Sequence, residues 1–544
     1  MEPAYPRRHF RVPLTTTSGA DAARQHRSGV SRGAFLAGAA AATVAPLSGR
    51  GRLLAAAASG TNVRVAIIGA GIAGLNAALT LHDHGVAATV YEGQDRVGGR
   101  MHSERAFWED GQTSEYCAEL IDTDHTLMRA LARRFALPLA DVLAAVAPNA
   151  QQTIFERGSY YPQRQLFRDF RPVYHTLTQQ VLAAGPVTTY DRSTATGRAL
   201  DAMNLTEWIH RFVPGGLHSK LGEFIDLQYV AEYGIAAHRQ SSLNLVYWLG
   251  RQPYYDARTG EFVALGPSDE RYHIIGGNDR LPRAMAAHLP PETVRFGHRL
   301  EAIVRRPDGR IALTFATASG TRTAVADKAI VTIPFSVLRR LDIARAGFDA
   351  RKLAAIDELG YGEHSKLIVQ FDDRYWRGTG AWPGEGSGDI TYDGPFIQTW
   401  DASRAQPGRT GLIVDYAAAR WSAELRPPAP YTTSVTPATA AYGAAFAKEL
   451  EAVWPGATQH FTGKAVLSHP TFDPFARGSY SGWLVGQYTR IAGYERVRQG
   501  NVLFAGEHCS VIFQGFMEGA AREGARAARE VLHDLTVPAL AARH

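Results

Sequence analysis

The sequence predicts an α/β protein built on a parallel β-sheet, and three patterns support this prediction. A short β-branched run at 63–68 leads through Gly-Ala-Gly-Ile-Ala-Gly into a small-residue helix and a second strand at 88–91, which is the order of a β-α-β unit. Strand patterns return within 293–333, and a buried-strand pattern at 502–505 precedes a helix over about 515–532. Because these elements lie at both ends and in the middle of the chain, we expect the domain that holds them to be discontinuous.

A second set of patterns lies between these elements. Helical patterns occur at 125–135 and 205–212, and an alternating strand pattern occupies 365–371. We expect these segments to form an α+β domain beside the first. The predicted division is a leader at 1–59, a first domain from 60–115, 270–345 and 462–535, and a second domain from 116–269 and 346–461.

Composition and charge exclude several classes of protein. The 544 residues are 45% apolar and 20% charged, which is typical of a globular protein of about two to four domains. The formal charge of +6 comes from residues 1–59, which hold eight arginines and two acids. The rest of the chain is balanced and does not favour nucleic acid or an anionic membrane as a partner. Cys117 and Cys509 form no recognised metal-site spacing, so we expect no metal.

The first 59 residues have the character of a targeting segment. Six arginines precede an apolar run at 34–47, and small-residue cleavage sites lie at 55–59. The run is shorter than the roughly 20 apolar residues that a membrane span requires. Ser31-Arg32-Gly33-Ala34-Phe35-Leu36 resembles a twin-arginine export signal in which Gly33 replaces the second arginine. We therefore expect a periplasmic or extracellular protein, and a disordered basic tail is the alternative.

The glycine-rich turn after the first strand has the spacing of a dinucleotide-binding site. Gly69, Gly71 and Gly74 form G-x-G-x-x-G, in which the glycines permit a tight turn, close approach of a pyrophosphate, and packing of helix on strand. The helix N-terminus then offers free N–H groups to phosphates. Glu92 ends the second strand, 18 residues after Gly74, where a carboxylate meets a ribose hydroxyl. The pattern predicts a bound dinucleotide.

A second motif makes the prediction more specific. Arg96-Val97-Gly98-Gly99-Arg100 follows at once, and its glycines would let Arg100 reach the pyrophosphate in a bidentate contact. With Tyr91-Glu92 before it, this motif resembles the flavin-containing amine oxidase family, which includes monoamine, polyamine and L-amino-acid oxidases. The resemblance implies FAD as the cofactor. It also implies a discontinuous FAD-binding Rossmann-like domain of the GR2 type with an α+β substrate-binding domain.

Three later motifs extend the resemblance over most of residues 63–535. They are Ile275-Gly276-Gly277-Asn278-Asp279-Arg280-Leu281, the strand and turn at 300–303 and 333–334, and the paired segments 504–508 and 515–520. The resemblance implies FAD contacts at Gly69, Gly71, Ala73, Gly74, Glu92, Gly99, Arg100, Gly277, Leu300, Pro334, Glu507, Phe516 and Met517. Glu507 would accept hydrogen bonds from ribityl hydroxyls, and the helix beginning near Phe516 would stabilise negative charge on reduced flavin.

Three residues are candidates for the reacting site. Lys366 resembles the family's lysine that holds a water near flavin N5, and a solvated strand lysine is the alternative. Tyr480 and Phe516 match the aromatic pair that sandwiches the amine, where two facing rings orient the nitrogen and exclude water. Core packing is the alternative for both rings. Trp483 is a weaker candidate.

Departures from the family patterns bear on the cofactor and the substrate. Ser479 stands where monoamine oxidases with covalent flavin carry a cysteine, so we expect non-covalent FAD. L-amino-acid oxidases usually carry an arginine for the substrate carboxylate, and that position falls near Leu120. Its absence argues against an α-amino acid. Glu119 or Asp122 would suit a distal ammonium, and a structural carboxylate is the alternative for each.

These observations together predict an enzyme. We expect an FAD-dependent oxidase that converts a primary or secondary amine to an imine, hydrolysed to an aldehyde, while O2 is reduced to H2O2. An L-amino-acid oxidase that gives a 2-oxo acid, ammonia and H2O2 is the first alternative. A desaturase or porphyrinogen oxidase and a non-catalytic flavoprotein are the others. The expected partners are a small-molecule amine and O2, and a homodimer is left open.

Overall fold

The computed structural model describes residues 63–250, 265–266 and 268–541, so the predicted leader lies outside the described residues. The strands are β1 Val65–Ile68, β2 Ala88–Tyr91, β3 Ser103–Glu104, β4 Ser114–Glu115, β5 Leu139–Asp141, β6 Ala150–Glu156, β7 Ser159–Tyr160, β8 Tyr272–Ile274, β9 Val294–Arg295, β10 Arg299–Arg305, β11 Ile311–Thr317, β12 Gly320–Ala326, β13 Lys328–Val331, β14 His364–Phe371, β15 Glu385–Tyr392, β16 Gln398–Asp401, β17 Gly411–Ala418, β18 Tyr431–Thr433, β19 Phe461–Ser468 and β20 Val502–Phe504. The helices are α1 Ile72–Asp83, α2 Thr126–Arg134, α3 Gln163–Ala184, α4 Ala195–Asp201, α5 Leu205–Phe212, α6 Lys220–Tyr233, α7 Leu243–Leu249, α8 Arg280–His288, α9 Phe335–Leu338, α10 Ala350–Glu358, α11 Arg420–Glu424, α12 Pro437–Leu450, α13 Ala457–His460, α14 Gln487–Arg490 and α15 Met517–Ala541.

A five-stranded parallel sheet joins distant parts of the chain, in the order β20-β13-β1-β2-β9. Ile67 of β1 pairs with Ile330 on one side and Val90 on the other. Strands of a parallel sheet covered on both faces are apolar along their whole length, and all four residues of β1 are buried. The predicted α/β class and the discontinuous parallel sheet are confirmed. The division into two domains stays a prediction.

The first of the strand patterns predicted within 293–333 covers 293–305 and forms two strands. β9 belongs to the parallel sheet, whereas β10 opens a separate antiparallel sheet in the order β10-β11-β12. Gly297 separates them with φ +64°, a left-handed conformation that suits glycine and ends a strand. The alternating pattern continued across this turn, so the period alone did not reveal the break.

An eight-stranded sheet forms the other side of the molecule, in the order β18-β19-β14-β17-β16-β15-β6-β7. Its strand β14 has an alternating sequence pattern, yet all eight of its residues are buried. Leu367, Val369 and Phe371 face a core that includes Phe446 and Leu450 of α12. Ile368 faces a second apolar cluster with Trp400. Lys366 therefore lies in a strand covered on both faces, and the alternative of a solvated strand lysine is wrong.

Helices α1 and α15 pack against each other closely on the parallel sheet. A Cβ added at Gly524 would lie 2.0 Å from the carbonyl oxygen of Ala73, so only glycine fits this contact. Asn76 donates a 2.7 Å hydrogen bond from Nδ2 to the carbonyl of Ala521. The small residues predicted to keep the last helix thin have this physical role. None of the helices in the described residues is long and apolar enough to cross a bilayer.

We predict that Gly524→Ala weakens the fold. The new methyl group meets backbone atoms that cannot rotate away, and overpacking of this kind costs about 1–3 kcal/mol. Thermal denaturation should show a lower midpoint than for the unmodified protein. Gly378→Ala is the matched control, because Gly378 is exposed and a Cβ there meets only one atom, at 3.8 Å. Equal midpoints for the two variants would contradict the prediction.

Candidate active site

A cavity of about 500 Å³ lies between the parallel sheet and the eight-stranded sheet. Its wall runs from the glycine turn after β1 to Lys366 and Trp400 of the larger sheet. We call the part near the glycine turn the nucleotide end, and the part near Lys366 the reacting end. Nine of the predicted FAD contacts border it besides Phe516 and Met517: Gly69, Gly71, Ala73, Glu92, Gly99, Arg100, Leu300, Pro334 and Glu507.

The glycines of the first turn have different physical roles. Gly69 has φ +103°, and a Cβ on it would lie 2.8 Å from Thr332 Oγ1. A Cβ on Gly74 would lie 1.9 Å from the carbonyl oxygen of Gly69, so Gly74 packs helix on strand and does not border the cavity. A Cβ on Gly71 would come no closer than 4.0 Å to its nearest neighbour, Gly98. Gly71 caps α1 without a side chain, which leaves the N–H groups of the first helical turn open to an anion.

Glu92 lies buried at the end of β2. Its Oε2 accepts from Ala70 N at 2.7 Å and its Oε1 from Gln94 N at 2.9 Å. Burial raises the pKa of Glu92, and these two hydrogen bonds oppose the rise. Each carboxylate oxygen keeps one lone pair for a further donor. This arrangement fits a ribose hydroxyl at the predicted position.

Arg100 and Glu507 form an ion pair at the wall of the cavity. Arg100 Nη1 donates to Glu507 Oε1 at 3.1 Å and to the carbonyl of Ser479 at 2.6 Å. Glu507 also accepts from Ser481 N, from Ser481 Oγ and from Gly515 N. Burial opposes ionisation of Glu507, yet Arg100 and these donors lower its pKa overall. A carboxylate has about four acceptor positions, so hydrogen bonds from ribityl hydroxyls would have to share them, and that role stays a prediction.

Besides Gly74, one more predicted cofactor contact lies away from the cavity. Gly277 has φ +105°, and a Cβ there would lie 2.6 Å from both Ser103 Oγ and Arg105 Nη2. Gly277 does not border the cavity. Its motif joins the loop after β8 to the segment that follows Arg100, because Arg105 also bonds the carbonyl of Gly276 at 3.0 Å. The glycine pair therefore packs against the segment at 103–105, and the contact of Gly277 with the cofactor stays a prediction.

Lys366 is held by three acceptors at the reacting end. Its Nζ donates to Glu119 Oε2 at 2.6 Å, to the carbonyl of Cys117 at 2.6 Å and to that of Glu115 at 3.3 Å. Glu119 Oε1 accepts from Trp400 Nε1 at 2.8 Å. An ammonium has three protons, so a water on Lys366 would have to take the place of its longest bond. Glu119, whose role the sequence left open, is the counter-ion of Lys366.

The predicted aromatic residues both border the cavity, and each stacks on another ring. Tyr480 stacks on His364, with ring centroids 4.9 Å apart, and donates from its hydroxyl to the carbonyl of Glu232 at 2.6 Å. Phe516 stacks on Trp248 at 5.9 Å, with an angle of 1° between the rings. Trp483, the weaker candidate, is buried and donates to Glu495, away from the cavity.

Sequence reasoning missed two residues of the reacting end. His364 stacks on Tyr416 at 4.7 Å as well as on Tyr480, and it bonds Ser479 Oγ through Nδ1 and the carbonyl of Ala231 through Nε2. Two-residue alternation along β14 puts His364 on the face of Lys366, so that signal was available. Tyr416 lies opposite Lys366 in the register of β14 and β17, and no sequence signal marks it.

The two remaining candidates near Glu119 differ in their surroundings. Leu120 borders the cavity at the position predicted for a carboxylate-binding arginine. Asp122 does not border the cavity; it accepts from Ser268 Oγ at 2.7 Å and from Glu270 N at 2.9 Å. Burial and the nearby Glu270 raise the pKa of Asp122 well above its usual range. Asp122 is therefore a structural carboxyl that holds the 268–270 segment.

Comparisons with known proteins agree with this geometry. The family model for flavin-containing amine oxidoreductases matches residues 72–532. Lysine-specific histone demethylase 1 homolog 1 of Arabidopsis thaliana is 27% identical over 86% of this chain, which spans only 52% of that protein. L-amino-acid oxidase of Siganus canaliculatus is 22% identical over 87% of this chain and 85% of its own length. The structure of cyclohexylamine oxidase from Brevibacterium oxydans IH-35A has the same fold, with a TM-score of 0.71 at 18% identity over 88% of this chain and 100% of that one.

The family model covers the glycine turn's helix, the reacting end and the first part of the last helix, up to residue 532, in one continuous match. The resemblance in the motifs is thereby confirmed, and so is the expectation of an enzyme that acts on amines. A flavin is the cofactor that the family contains. The chain is an oxidoreductase and belongs to the flavin-containing amine oxidoreductase family.

Proposed function

We propose that this protein is an FAD-dependent oxidase that converts a primary or secondary amine to an imine, with O2 reduced to H2O2. Water then hydrolyses the imine to an aldehyde. The substrate would occupy the reacting end of the cavity, beside Lys366, Tyr480 and Phe516. FAD would extend toward the nucleotide end, along Gly71, Glu92 and Pro334.

The charge of the reacting end carries the choice of substrate. Leu120 and the carboxylates of Glu119 and Glu270 border the cavity there. The arginines that border the cavity in the described residues are Arg100, Arg299, Arg340 and Arg477. Arg100 is held by Glu507, and the other three lie beside Leu300, Leu341 and Ala476 at the nucleotide end. A substrate carboxylate would lack a guanidinium partner and would lose several kcal/mol on leaving water.

The chain's own residues would prepare the amine for oxidation. FAD, when bound, supplies the hydride acceptor. Tyr480 and Phe516 would hold the amine and exclude water, since each ring is fixed by its stacking partner. Lys366 would place a fixed positive charge close to where negative charge develops, at no cost of reorganisation. Its three protein acceptors keep this charge in one position.

An L-amino-acid oxidase is the second candidate, favoured by the relative from Siganus canaliculatus that bears this name. The two candidates differ in whether the reacting end accepts a carboxylate beside the amino group.

We also propose that the FAD is non-covalent, because Ser479 bonds His364 and the carbonyl of Gly362 and offers no thiol. The charge pattern of residues 1–59 supports our further proposal that the protein is exported.

The first prediction compares amines with their parent amino acids. Decarboxylated amines should reduce the flavin with a kcat/KM about tenfold or more above that of the parent, because an unpaired carboxylate is costly in the cavity. Anaerobic flavin bleaching at a series of substrate concentrations gives the efficiency of flavin reduction for the amine and for its parent amino acid. Leu120→Arg should narrow or reverse the difference, and Leu120→Met is the size-matched control. An amino acid that outcompetes its own amine in the unmodified protein would establish the second candidate instead.

The second prediction concerns attachment of the cofactor. Acid precipitation should release all the yellow chromophore into the supernatant, since Ser479 cannot form a thioether to the flavin. Chromatography against authentic standards should identify it as FAD. Colour that stays with the precipitate, or release of FMN, would overturn the proposal.

The third prediction separates the charge of Lys366 from its structural role. Lys366→Met should lower the free energy of unfolding by about 3–5 kcal/mol, because it leaves Glu119 buried without a counter-ion. Lys366→Met/Glu119→Gln should recover most of that loss. In this double variant the reaction of reduced flavin with O2 should slow by about tenfold or more, while reduction by amine changes less.

Stopped-flow traces of the two half-reactions give the comparison, with flavin content checked in each variant. Glu119→Gln alone is the control that keeps the lysine and removes its counter-ion. Reoxidation at the unmodified rate in a fully loaded double variant would show that Lys366 has a structural role only.

A further inference from the structure

A second, small cavity lies behind Glu119. It measures about 20 Å³ and is bordered by Glu119, Trp400, His273, Arg404 and Val142, among others. Glu119 also borders the large cavity, so its carboxylate lies between the two. A polar cavity of about 10–15 Å³ or more holds one water molecule when at least two polar groups can bond it. The small cavity meets the volume requirement.

Arg404, which borders this cavity, has one buried donor without a protein acceptor among the described residues. Its Nη2 pairs with Asp389 Oδ2 at 2.6 Å and bonds the carbonyl of Ser387 at 2.5 Å. Its Nε is buried and has no hydrogen-bond partner within the described part of the chain. The Arg404 side chain is 3% exposed. An unpaired buried donor costs about 1–3 kcal/mol, and a water in the cavity beside it would remove that cost.

His273 supplies the acceptor on the far side. Its Nε2 lies 2.9 Å from Glu115 Oε1, which also accepts from Asn278 N at 2.8 Å. Glu115 Oε2 accepts from Ser103 Oγ at 2.7 Å. Because Glu115 acts as an acceptor in all these bonds, the proton of a neutral His273 belongs on Nε2 and leaves Nδ1 free to accept. The His273 side chain is 12% exposed, so its ring connects the interior with the solvent.

We propose that one ordered water occupies the small cavity, bonded by Arg404 Nε, Glu119 and His273 Nδ1, and completes a proton path from the reacting end to the surface. The path rests on the proposed function. Oxidation of an ammonium substrate removes a hydride from carbon, which goes to the flavin, and one proton from nitrogen, and leaves an iminium ion. That proton passes to Glu119, through the water to His273 Nδ1, and leaves when the partly exposed ring turns this nitrogen toward solvent. Atoms and charges balance without a further reactant.

The charges beside the path are compatible with it. Arg404 is neutralised by Asp389 and Lys366 by Glu119. Glu115 bonds His273 Nε2 and holds the ring beside the cavity. While Glu119 carries the proton, Lys366 keeps its bonds to the carbonyls of Cys117 and Glu115, and the ion pair forms again when the proton moves on to the water.

The first arm of the test examines the water itself and needs no turnover. A crystal structure of the FAD-loaded protein should show an ordered water within hydrogen-bond distance of Arg404 Nε and of Glu119 or His273. Val142→Ile adds one methyl group at the cavity wall, about the volume of a water, and should remove that water. Val146→Ile lies in the same segment, does not border the cavity, and should keep it. No water in the unmodified protein would overturn the proposal.

The second arm measures proton release beside flavin reduction. Anaerobic stopped-flow mixing with amine in weak buffer follows flavin absorbance and a pH indicator together. In the unmodified protein the proton should appear with the bleaching. In Val142→Ile and His273→Ala the rate of proton release should be about tenfold or more lower than in the unmodified protein. Added imidazole should restore the rate of proton release in His273→Ala only. His288→Ala removes an exposed histidine outside the path and should behave as the unmodified protein.

Proton release that stays synchronous with bleaching in His273→Ala and does not respond to imidazole would overturn the path. Absence of bleaching with every amine in the unmodified protein would instead overturn the proposed function, so the two failures are distinguishable. If Val142→Ile does not fold, His273→Ala with imidazole decides the question alone.

Discussion

The ammonium of Lys366 lies in the middle of a strand without one exposed residue, and this burial constrains the structure around it. A buried charge is tolerated only when it is paired and its protons are bonded. The segment 115–119 meets this requirement with one carboxylate and two carbonyls, and so it lies against β14. The same carboxylate bonds Trp400, which fixes β16 relative to β14. The arrangement of residues in the wall of the reacting end therefore follows from the need to bind the buried ammonium of Lys366 with protein acceptors.

Glu507 has a comparable role in the wall of the cavity. It joins Arg100, Ser481 and Gly515, three residues far apart in the chain, through four donors to one carboxylate. Arg100 and the other donors lower the pKa of Glu507 more than burial raises it, so the carboxylate stays ionised and keeps these segments together. Gly515 lies two residues before the start of α15, whose first residue borders the cavity. The positive end of that helix is thus held toward the cofactor space by an interaction that involves no cofactor.

The two ends of the cavity are positioned by different kinds of contact: tight backbone contacts at the nucleotide end and side-chain networks at the reacting end. At the nucleotide end, Gly69, Gly74 and Gly524 let strand and helices approach to distances that a Cβ would prevent. At the reacting end, rings and ions do the positioning: His364 lies against Tyr416 and Tyr480, and Lys366 is paired with Glu119. The first kind of contact is rigid because backbone cannot rotate away. The second depends on every partner being present, so substitutions there need matched double variants.

The sequence by itself determined the local features: the strand–turn–helix around Gly69, the position of Glu92 at the end of β2, and the place of Lys366 on β14. Each rests on short-range rules, such as which residues accept positive φ and how side chains alternate along a strand. It did not determine which groups meet. The packing of Gly277 on Ser103 was not indicated by its motif, and nothing in the pattern paired Lys366 with Glu119, 247 residues away. Those partners follow from sheet register and from the need to satisfy buried charges and polar groups, which only the assembled chain can decide.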